Sequence, residues 1–185
     1  MSTLYTDNIR ANNASQITIP TGQKIVGTDA GSIVAPGQVI QVARTAYGTE
    51  FVYSGTSWST FFSGNFTPKL STSHIYIDVS FNVGKRSAGE VQFNHRLQRN
   101  GTTLTAAQHL NTTFVSDFDV FRAPDTSNAN LHIFQSVSMM DDTHNTTSQI
   151  TYAFQVISPN SGYPDMYFNF GGRTSSYMKF TEVAQ

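Results

Sequence analysis

The sequence predicts an all-β protein, an antiparallel jelly roll or β-sandwich preceded by an extended N-terminal arm. The first observation is Ser73–Val83, in which every second residue is apolar, a period of two that fits a strand with one buried face. Similar runs recur at near-regular spacing with Gly, Pro and Asn turn signals between them. Finally, charged residues make up only 12% of the 185 residues, against about 25% in an ordinary soluble domain.

Residues 1–37 are predicted to form the arm, and residues 38–185 the folded domain. The arm has isolated apolar residues among Asn, Thr and Gly, too few to offset its own ordering entropy in a lone monomer. It is therefore either disordered or ordered by a partner. We favour the second, because short Ile and Val pieces suggest extended segments that wrap on neighbouring chains. Its candidate contact residues are Ile17, Ile19, Ile25 and Val26.

The first strands of the domain are expected after the turn at Pro36-Gly37. Predicted strands cover Val39–Arg44, Glu50–Tyr53 and Ser57–Phe62, with a loop over Ser63–Leu70. Ser73–Val83 follows, with an inward series of Ile75, Ile77, Val79, Phe81 and Val83.

The second half of the domain continues this pattern. Asn100-Gly101 is the strongest hairpin signal, because both residues tolerate positive φ; it joins a strand at Glu90–Gln98 to one at Thr102–Ala106. Further strands are predicted over His109–Arg122, Asn130–Met139, Gln149–Ile157, Met166–Phe170 and Ser175–Val183, with a turn at Gly171-Gly172. No stretch predicts a helix.

Charge and composition exclude several function classes. A formal net charge of −1 gives no electrostatic reason to bind nucleic acid or an anionic membrane. The absence of cysteine excludes disulfides, thiolate zinc sites and a cysteine nucleophile. No run approaches the ~20 apolar residues of a membrane helix, and MSTLYTDNIR does not read as a signal peptide, so we expect a soluble protein made in a cytosol. No cofactor motif is present, and no cofactor is predicted.

Three groups of polar residues are candidates for a chemical site. Asp141-Asp142-Thr143-His144 offers two carboxylates and an imidazole to a divalent cation, but it lacks EF-hand and zincin spacing, so a solvated loop is favoured. Asp117 and Asp119 share one strand face, as in acid/base hydrolysis, yet solvated residues or partners of Arg122 are the simpler interpretation.

His95 falls on an inward series and is expected to be partly buried and hydrogen-bonded, or at a subunit seam. The prediction is therefore a non-enzymatic protein without catalytic or metal-binding residues.

Aromatic residues, 12% of the chain, are more than one small sandwich can bury. Tyr76 and Phe134 lie on the outward faces of their predicted strands, and outward aromatics mark a second contact surface. We favour packing between subunits. A glycan-binding adhesin is the alternative, in which Tyr, Phe and Trp58 stack on sugar rings while Asn, Gln and Asp bind hydroxyls.

Several stretches together resemble small structural proteins of tailed bacteriophages, including cyanophages. They are the leader STLYTDNIR…ITIPTGQKIVGTDAGSIVAPGQVIQV, then FTPKLSTSHIYIDVSF, HRLQRNGTTL, APDTS and the ending MKFTEVAQ. The resemblance implies a tumour-necrosis-factor-like jelly roll, often a homotrimer, assembled in the host cytoplasm and located on the virion.

By that resemblance the protein is a short fibre or a capsid decoration protein, with the arm contacting other virion proteins. Its position on head or tail stays open. The alternatives are a host-glycan adhesin at a fibre tip, and a glycan depolymerase using Asp117, Asp119, Asp141 or Asp142.

Overall fold

The computed structural model describes residues 21–22, 33–86, 91–104, 119–123, 131–159, 161–162, 165–172 and 174–185. The chain divides into two compact units, Met1–Ile33 and Val34–Gln185, and every strand below belongs to the second. The strands are β1 (Val39–Tyr47), β2 (Phe51–Tyr53), β3 (Ser59–Phe66), β4 (His74–Lys85), β5 (Val91–Arg99), β6 (Thr102–Thr103), β7 (Asp119–Ala123), β8 (Leu131–Asp141), β9 (Ile150–Ile157), β10 (Met166–Phe168) and β11 (Ser176–Val183). A single 3₁₀ turn at Phe170–Gly172 is the only helical element in the described ranges.

Two antiparallel sheets face each other, as the all-β prediction requires. Sheet A has the order β1-β11-β4-β8. The short β10 pairs with Val83 and Gly84 of β4 on the same side as β11, and β2 pairs with β10. Sheet B has the order β3-β9-β5-β6, with β7 also on β5. Taken in chain order, β1, β3, β4, β5, β7, β8, β9 and β11 are therefore arranged 1-8-3-6 in sheet A and 2-7-4-5 in sheet B. This is the double Greek-key order of a jelly roll, so the predicted fold class is confirmed.

Strand β4 lies at the centre of sheet A, between β11 on one side and β8 on the other. Its predicted inward series is confirmed, since Ile75, Ile77, Val79, Phe81 and Val83 are all at most 2% exposed. A strand paired on both sides buries its backbone polar groups as well as one face, which makes it the least exposed element of the sheet.

Aromatic rings from both sheets form the core between them. The Phe81 ring of β4 lies 5.1 Å from that of Phe154 on β9, and Phe66 of β3 lies 5.1 Å from Phe180 of β11. Ring pairs at 4.5–7 Å in tilted or edge-on geometry contribute beyond the area they bury. The inner faces of the two sheets are thus held together mainly by phenylalanine.

Two predicted boundaries are wrong. Ser63–Leu70 was expected to be a loop, but its first residues extend β3 to Phe66, because an irregularity between Thr60 and Phe62 resets the register and keeps both Phe61 and Phe62 in the core. The strand expected over Met166–Phe170 ends at Phe168, because Asn169 has a positive φ of 52°. Of the predicted strand His109–Arg122, only the part from Asp119 lies within the described residues, and Thr105–Ala106 lie outside them.

The Asn100-Gly101 hairpin turn is present, with φ values of 48° and 85°, as a type I′ turn requires. We expect Gly101→Ala to lower the free energy of unfolding by about 1 kcal/mol, because alanine is strained at positive φ. No heavy atom lies within 4 Å of the added Cβ, so the cost is conformational and not steric. Urea unfolding measures it, with the exposed Thr102→Ala as control; equal stability of the wild type and Gly101→Ala would contradict the prediction.

Candidate functional site

The outward face of sheet A carries the most exposed large apolar side chain of the described residues. Phe134 on β8 is 73% exposed, as its predicted outward position requires. It pairs in register with Asn82 of β4. Tyr76, the other predicted outward aromatic, is half-buried between Met140 of β8 and Thr181 of β11. Whether either residue contacts a partner stays a prediction.

A depression of about 280 Å³ lies beside Phe134, lined by Asn82, His132, Phe134, Phe170 and Thr174. The His132 ring meets the Phe170 ring edge-on at 4.2 Å, which forms an aromatic wall. A second depression, about 350 Å³, lies on the other side of Phe134 and is lined mostly by serine, Gln135 and Tyr177. Phe134 therefore stands as a ridge between two concave surfaces.

Two buried polar atoms belong to residues that line the first depression. Asn82 is 1% exposed, and its side-chain nitrogen donates to the Ile133 carbonyl at 3.3 Å. The Asn82 Oδ1 and the Thr174 hydroxyl oxygen are both buried and have no hydrogen-bond partner among the described residues. Buried groups of this kind are rare and call for an explanation such as a ligand or water.

The guanidinium of Arg86 borders the aromatic wall. It lies 4.2 Å from the centre of the Phe170 ring and 4.3 Å from that of Tyr167, and it forms an ion pair with Glu50 at 2.9 Å. The charge of Arg86 is therefore already balanced by a carboxylate.

The opposite edge of sheet A is aliphatic. On β1, Val39 is 52% and Val42 59% exposed, and Val34, just before the strand, is 44% exposed. Among the described strands β1 pairs only with β11. An exposed edge strand that carries apolar side chains is a typical site of association with another chain, although the exposed Arg44 interrupts the apolar surface of β1.

The outward face of sheet B has a different character, because its polar side chains bond to one another. Arg96 Nε donates to Gln155 Oε1 at 2.8 Å, and Gln155 donates to the Thr60 hydroxyl at 3.1 Å. The Trp58 ring, one of the predicted sugar platforms, is covered on one face by the Arg96 guanidinium at 4.3 Å.

The segment Asp141-Asp142-Thr143-His144 was predicted to be a solvated loop, and this is wrong for two of its residues: Asp141 ends β8, and both Asp141 and His144 are buried. Its acidic and histidine side chains do not converge on one point. Asp141 is fully buried and accepts hydrogen bonds from Arg99 Nη1 at 2.7 Å and from the Tyr152 hydroxyl at 2.8 Å. Burial, and then the charge and hydrogen bond of Asp141, raise the pKa of Tyr152 above its usual range, so Tyr152 stays a donor. Asp142 is exposed. Nowhere in the described ranges do three acidic or histidine side chains gather as metal ligands.

His144 belongs instead to a buried junction that sequence reasoning missed. Its Nε2 donates to the Ser73 carbonyl at 2.8 Å, and the Ser73 hydroxyl donates to Glu182 Oε1 at 2.7 Å. Glu182 is fully buried and also accepts from the backbone N–H groups of Lys69 at 3.0 Å and Leu70 at 2.9 Å. A sequence signal existed, because Glu182 continues the inward series of Met178 and Phe180 on β11.

The Glu182, Ser73 and His144 side chains share residue types with a hydrolase triad but not its geometry. Here the serine lies between the acid and the histidine, whereas a triad needs the histidine in the middle as base. Ser73 is buried and its hydroxyl already donates to Glu182, so it is not available to attack a substrate. The junction ties the segment before β4 to β11 and to the β8–β9 connection, which is a structural role.

The remaining candidates separate by position. His95 is 5% exposed, on the inward series as predicted, and lies 5.2 Å from the Phe154 ring. The β5–β7 register pairs it with Asp119 through the backbone. The side chain of Asp119 is not among those that the structure describes. Ile17, Ile19, Ile25, Val26 and Asp117 all fall outside the described residues.

The described residues contain no helix that is long and apolar enough to cross a membrane.

Known structures that align with this chain include two from infectious bursal disease virus and one from a bacterium. The chain matches the infectious bursal disease virus VP2 subviral particle with a TM-score of 0.47 at 13% identity, over 88% of this chain and 37% of that one. It matches the Gx strain of that virus with a TM-score of 0.39 at 13% identity, over 88% and 42%. For dimeric latent PorU from Porphyromonas gingivalis the TM-score is 0.41 at 12% identity, over 85% and 14%.

The chain spans less than half the length of each of these proteins. With TM-scores below 0.5, the likenesses carry no information about function. No protein-family profile and no curated protein matches the sequence.

Proposed function

We propose that this chain is a non-enzymatic structural protein of a virus particle and that it assembles as a homotrimer through the aliphatic β1 edge. The exposed Val39 and Val42, 52% and 59% accessible on an edge strand, carry the proposal. Burying a valine side chain contributes about 1.5–3 kcal/mol, so a second copy that covers this edge gains from each. The virion setting rests on the resemblance of the sequence to small bacteriophage structural proteins.

The character of the other surfaces supports this choice of edge. The outward face of sheet B is a hydrogen-bonded polar array, and a middle row of sheet A is also polar, with Ser138 and Lys179 both bound to Asp78 at 2.7 Å and 3.1 Å. Polar groups that are already satisfied gain little from a dry contact. A three-fold arrangement places the β1 edge of one copy on a different surface of the next, as a closed heterologous ring requires.

Within the particle, we place the protein as a short fibre or a decoration protein of the surface, with residues 1–37 as the attachment to other virion proteins. Ile17, Ile19, Ile25 and Val26 are the proposed anchor contacts. Tyr76 lies in the same cross-strand row as Val42, through Thr181, and is the proposed inner margin of the subunit contact.

The mass in solution tests the assembly. We expect light scattering to give three times the 20.4 kDa chain, about 61 kDa, at micromolar concentration. The double variant Val39→Asp with Val42→Asp is expected to run as a monomer, because a dry interface would leave the two carboxylates unpaired. Ser136→Asp is the control, since Ser136 is exposed on β8, which pairs with β4 on the side opposite to β11 and β1. A monomeric wild-type protein, or dissociation by Ser136→Asp alone, would contradict the proposal.

A further inference from the structure

We infer that the depression between Phe134 and Phe170 is a binding site for a neutral sugar ring. It lies at the β8 side of sheet A, whereas the proposed subunit contact lies at the β1 edge. The site therefore goes beyond the structural role and does not depend on trimer formation.

The strongest observation is the pair of buried polar atoms without partners, Asn82 Oδ1 and the Thr174 hydroxyl oxygen. The orientation of the Asn82 amide is determined by its own contacts, because its nitrogen donates to the Ile133 carbonyl and the reversed amide would bring two oxygens together. Asn82 thus offers an acceptor, and Thr174 offers a hydroxyl that both donates and accepts. Both residues line the depression, and a hydroxyl of a bound ligand, which is also donor and acceptor, is the group that we place against these atoms.

The aromatic walls supply the second requirement of a sugar site. Phe134 exposes 73% of its surface, and the Phe170 ring is braced by His132 at 4.2 Å and by Arg86 at 4.2 Å. The C–H face of a pyranose packs against aromatic rings, while its hydroxyls bind the polar groups between them. A purely apolar partner would leave the Asn82 and Thr174 atoms unsatisfied, so it fits less well.

Size and charge narrow the ligand further. A volume of about 280 Å³ lies at the small end of ligand sites, which are roughly 300–1,000 Å³, so one ring fits and a long oligosaccharide does not. Of the described residues beside the depression, the Arg86 guanidinium is already paired with Glu50 at 2.9 Å, so we propose a neutral ring and not an acidic one. A ligand of one small ring is expected to bind with a Kd of order 1 mM, and several copies on one particle raise the avidity.

The test is a titration of the full chain, followed by amide NMR, with methyl glycosides of glucose, galactose, mannose and N-acetylglucosamine. At concentrations up to about 50 mM, well above the expected Kd, at least one glycoside is expected to saturate and to shift the Asn82 side-chain amide. Phe134→Ala and Thr174→Val are each expected to weaken that binding about tenfold. Trp58→Ala, which changes an aromatic on sheet B, is the control and is expected to bind as the wild type does.

Several outcomes would overturn the inference. These are no saturation by any of the four glycosides, unchanged binding by Thr174→Val in a folded protein, or loss of binding in Trp58→Ala. If Phe134→Ala changes the mass in solution and no sugar binds, the ridge is a contact between copies and the inference is wrong. If the Val39→Asp, Val42→Asp double variant binds sugar as tightly as the wild type does, the sugar site is supported. That result is independent of whether the protein forms a trimer.

Discussion

Replacing Asp141 with alanine is expected to lower the free energy of unfolding by about 3–5 kcal/mol, which is the cost of removing one partner of a buried ion pair. Asp141 is fully buried and accepts from Arg99, from the Tyr152 hydroxyl and from the Thr143 N–H at 3.1 Å. Its removal leaves the Tyr152 hydroxyl without an acceptor in the core. Arg99 keeps 24% of its side chain exposed, so water relieves part of its loss and the effect should fall toward the lower figure.

The adjacent residue provides a matched control for this experiment. Asp142 is exposed, and its replacement by alanine should change stability by no more than about 0.5 kcal/mol. Urea unfolding of both variants and the wild type gives the comparison. Equal effects of the two substitutions would show that the buried contacts of Asp141 contribute nothing, contrary to the expectation.

Replacing Glu182 with alanine is expected to cost about 3–4 kcal/mol, because four donors around a buried carboxylate lose their acceptor at once. These donors are the backbone N–H groups of Lys69 and Leu70, the Ser73 hydroxyl and the Gln41 amide, the last at 2.6 Å. The control is Lys179→Met on the same strand, whose ion pair with Asp78 is 44% and 34% exposed and should contribute less than about 1 kcal/mol. A larger effect in the control than in Glu182→Ala would contradict the structure.

The same carboxylate makes stability depend on pH. Burial acts to raise the pKa of Glu182, but hydrogen bonds from Lys69, Ser73, Leu70 and Gln41 together outweigh it and hold the pKa below its usual value. The folded state therefore binds a proton less readily than the unfolded chain, whose glutamate pKa is about 4.3. The contribution of the charged form is fully present above that pH and is lost as the pH falls through the lower folded value.

Glu182→Gln isolates this effect from the other acids. The stability difference between wild type and Glu182→Gln, measured by urea unfolding, should be constant from about pH 7 down to about pH 5 and should shrink below about pH 4. A difference that stays constant down to pH 3, or that grows, would show that the folded carboxylate does not have a lowered pKa.

Much of the fold was predictable because strand periodicity is a local property. The alternation in β4 and β9 correctly identified which residues face the core. In the same way, the alternation in β8 placed Phe134 outward and that in β5 placed His95 inward. The same rule, followed further, puts Asp141 after Val137 and Met139, and Glu182 after Met178 and Phe180, on inward series. For Asp141 the residue type had suggested a solvated loop, and the periodicity was the better guide; the burial of Glu182 follows the same rule.

The error at Ser63–Leu70 has a related origin. Gly64 suggested a loop, yet it lies in β3 where an added Cβ would come within 3.1 Å of the Phe180 ring. A glycine in a strand often marks close approach of another side chain, and not a chain break. Only the partner strand shows which of the two applies.

By itself the sequence determined the fold class, the core face of each long strand and the Asn100-Gly101 turn, because each depends on residues that are neighbours in the chain. The tertiary structure alone decided which polar residues meet. Glu182 reaches Ser73 across 109 positions and Asp141 reaches Arg99 across 42, and no local pattern encodes such pairs. It also decided that Asn82, outward on its strand, is buried under the Asn169 and Phe170 turn. Burial of that amide depends on the packing of two distant segments, and the candidate sugar site exists only through it.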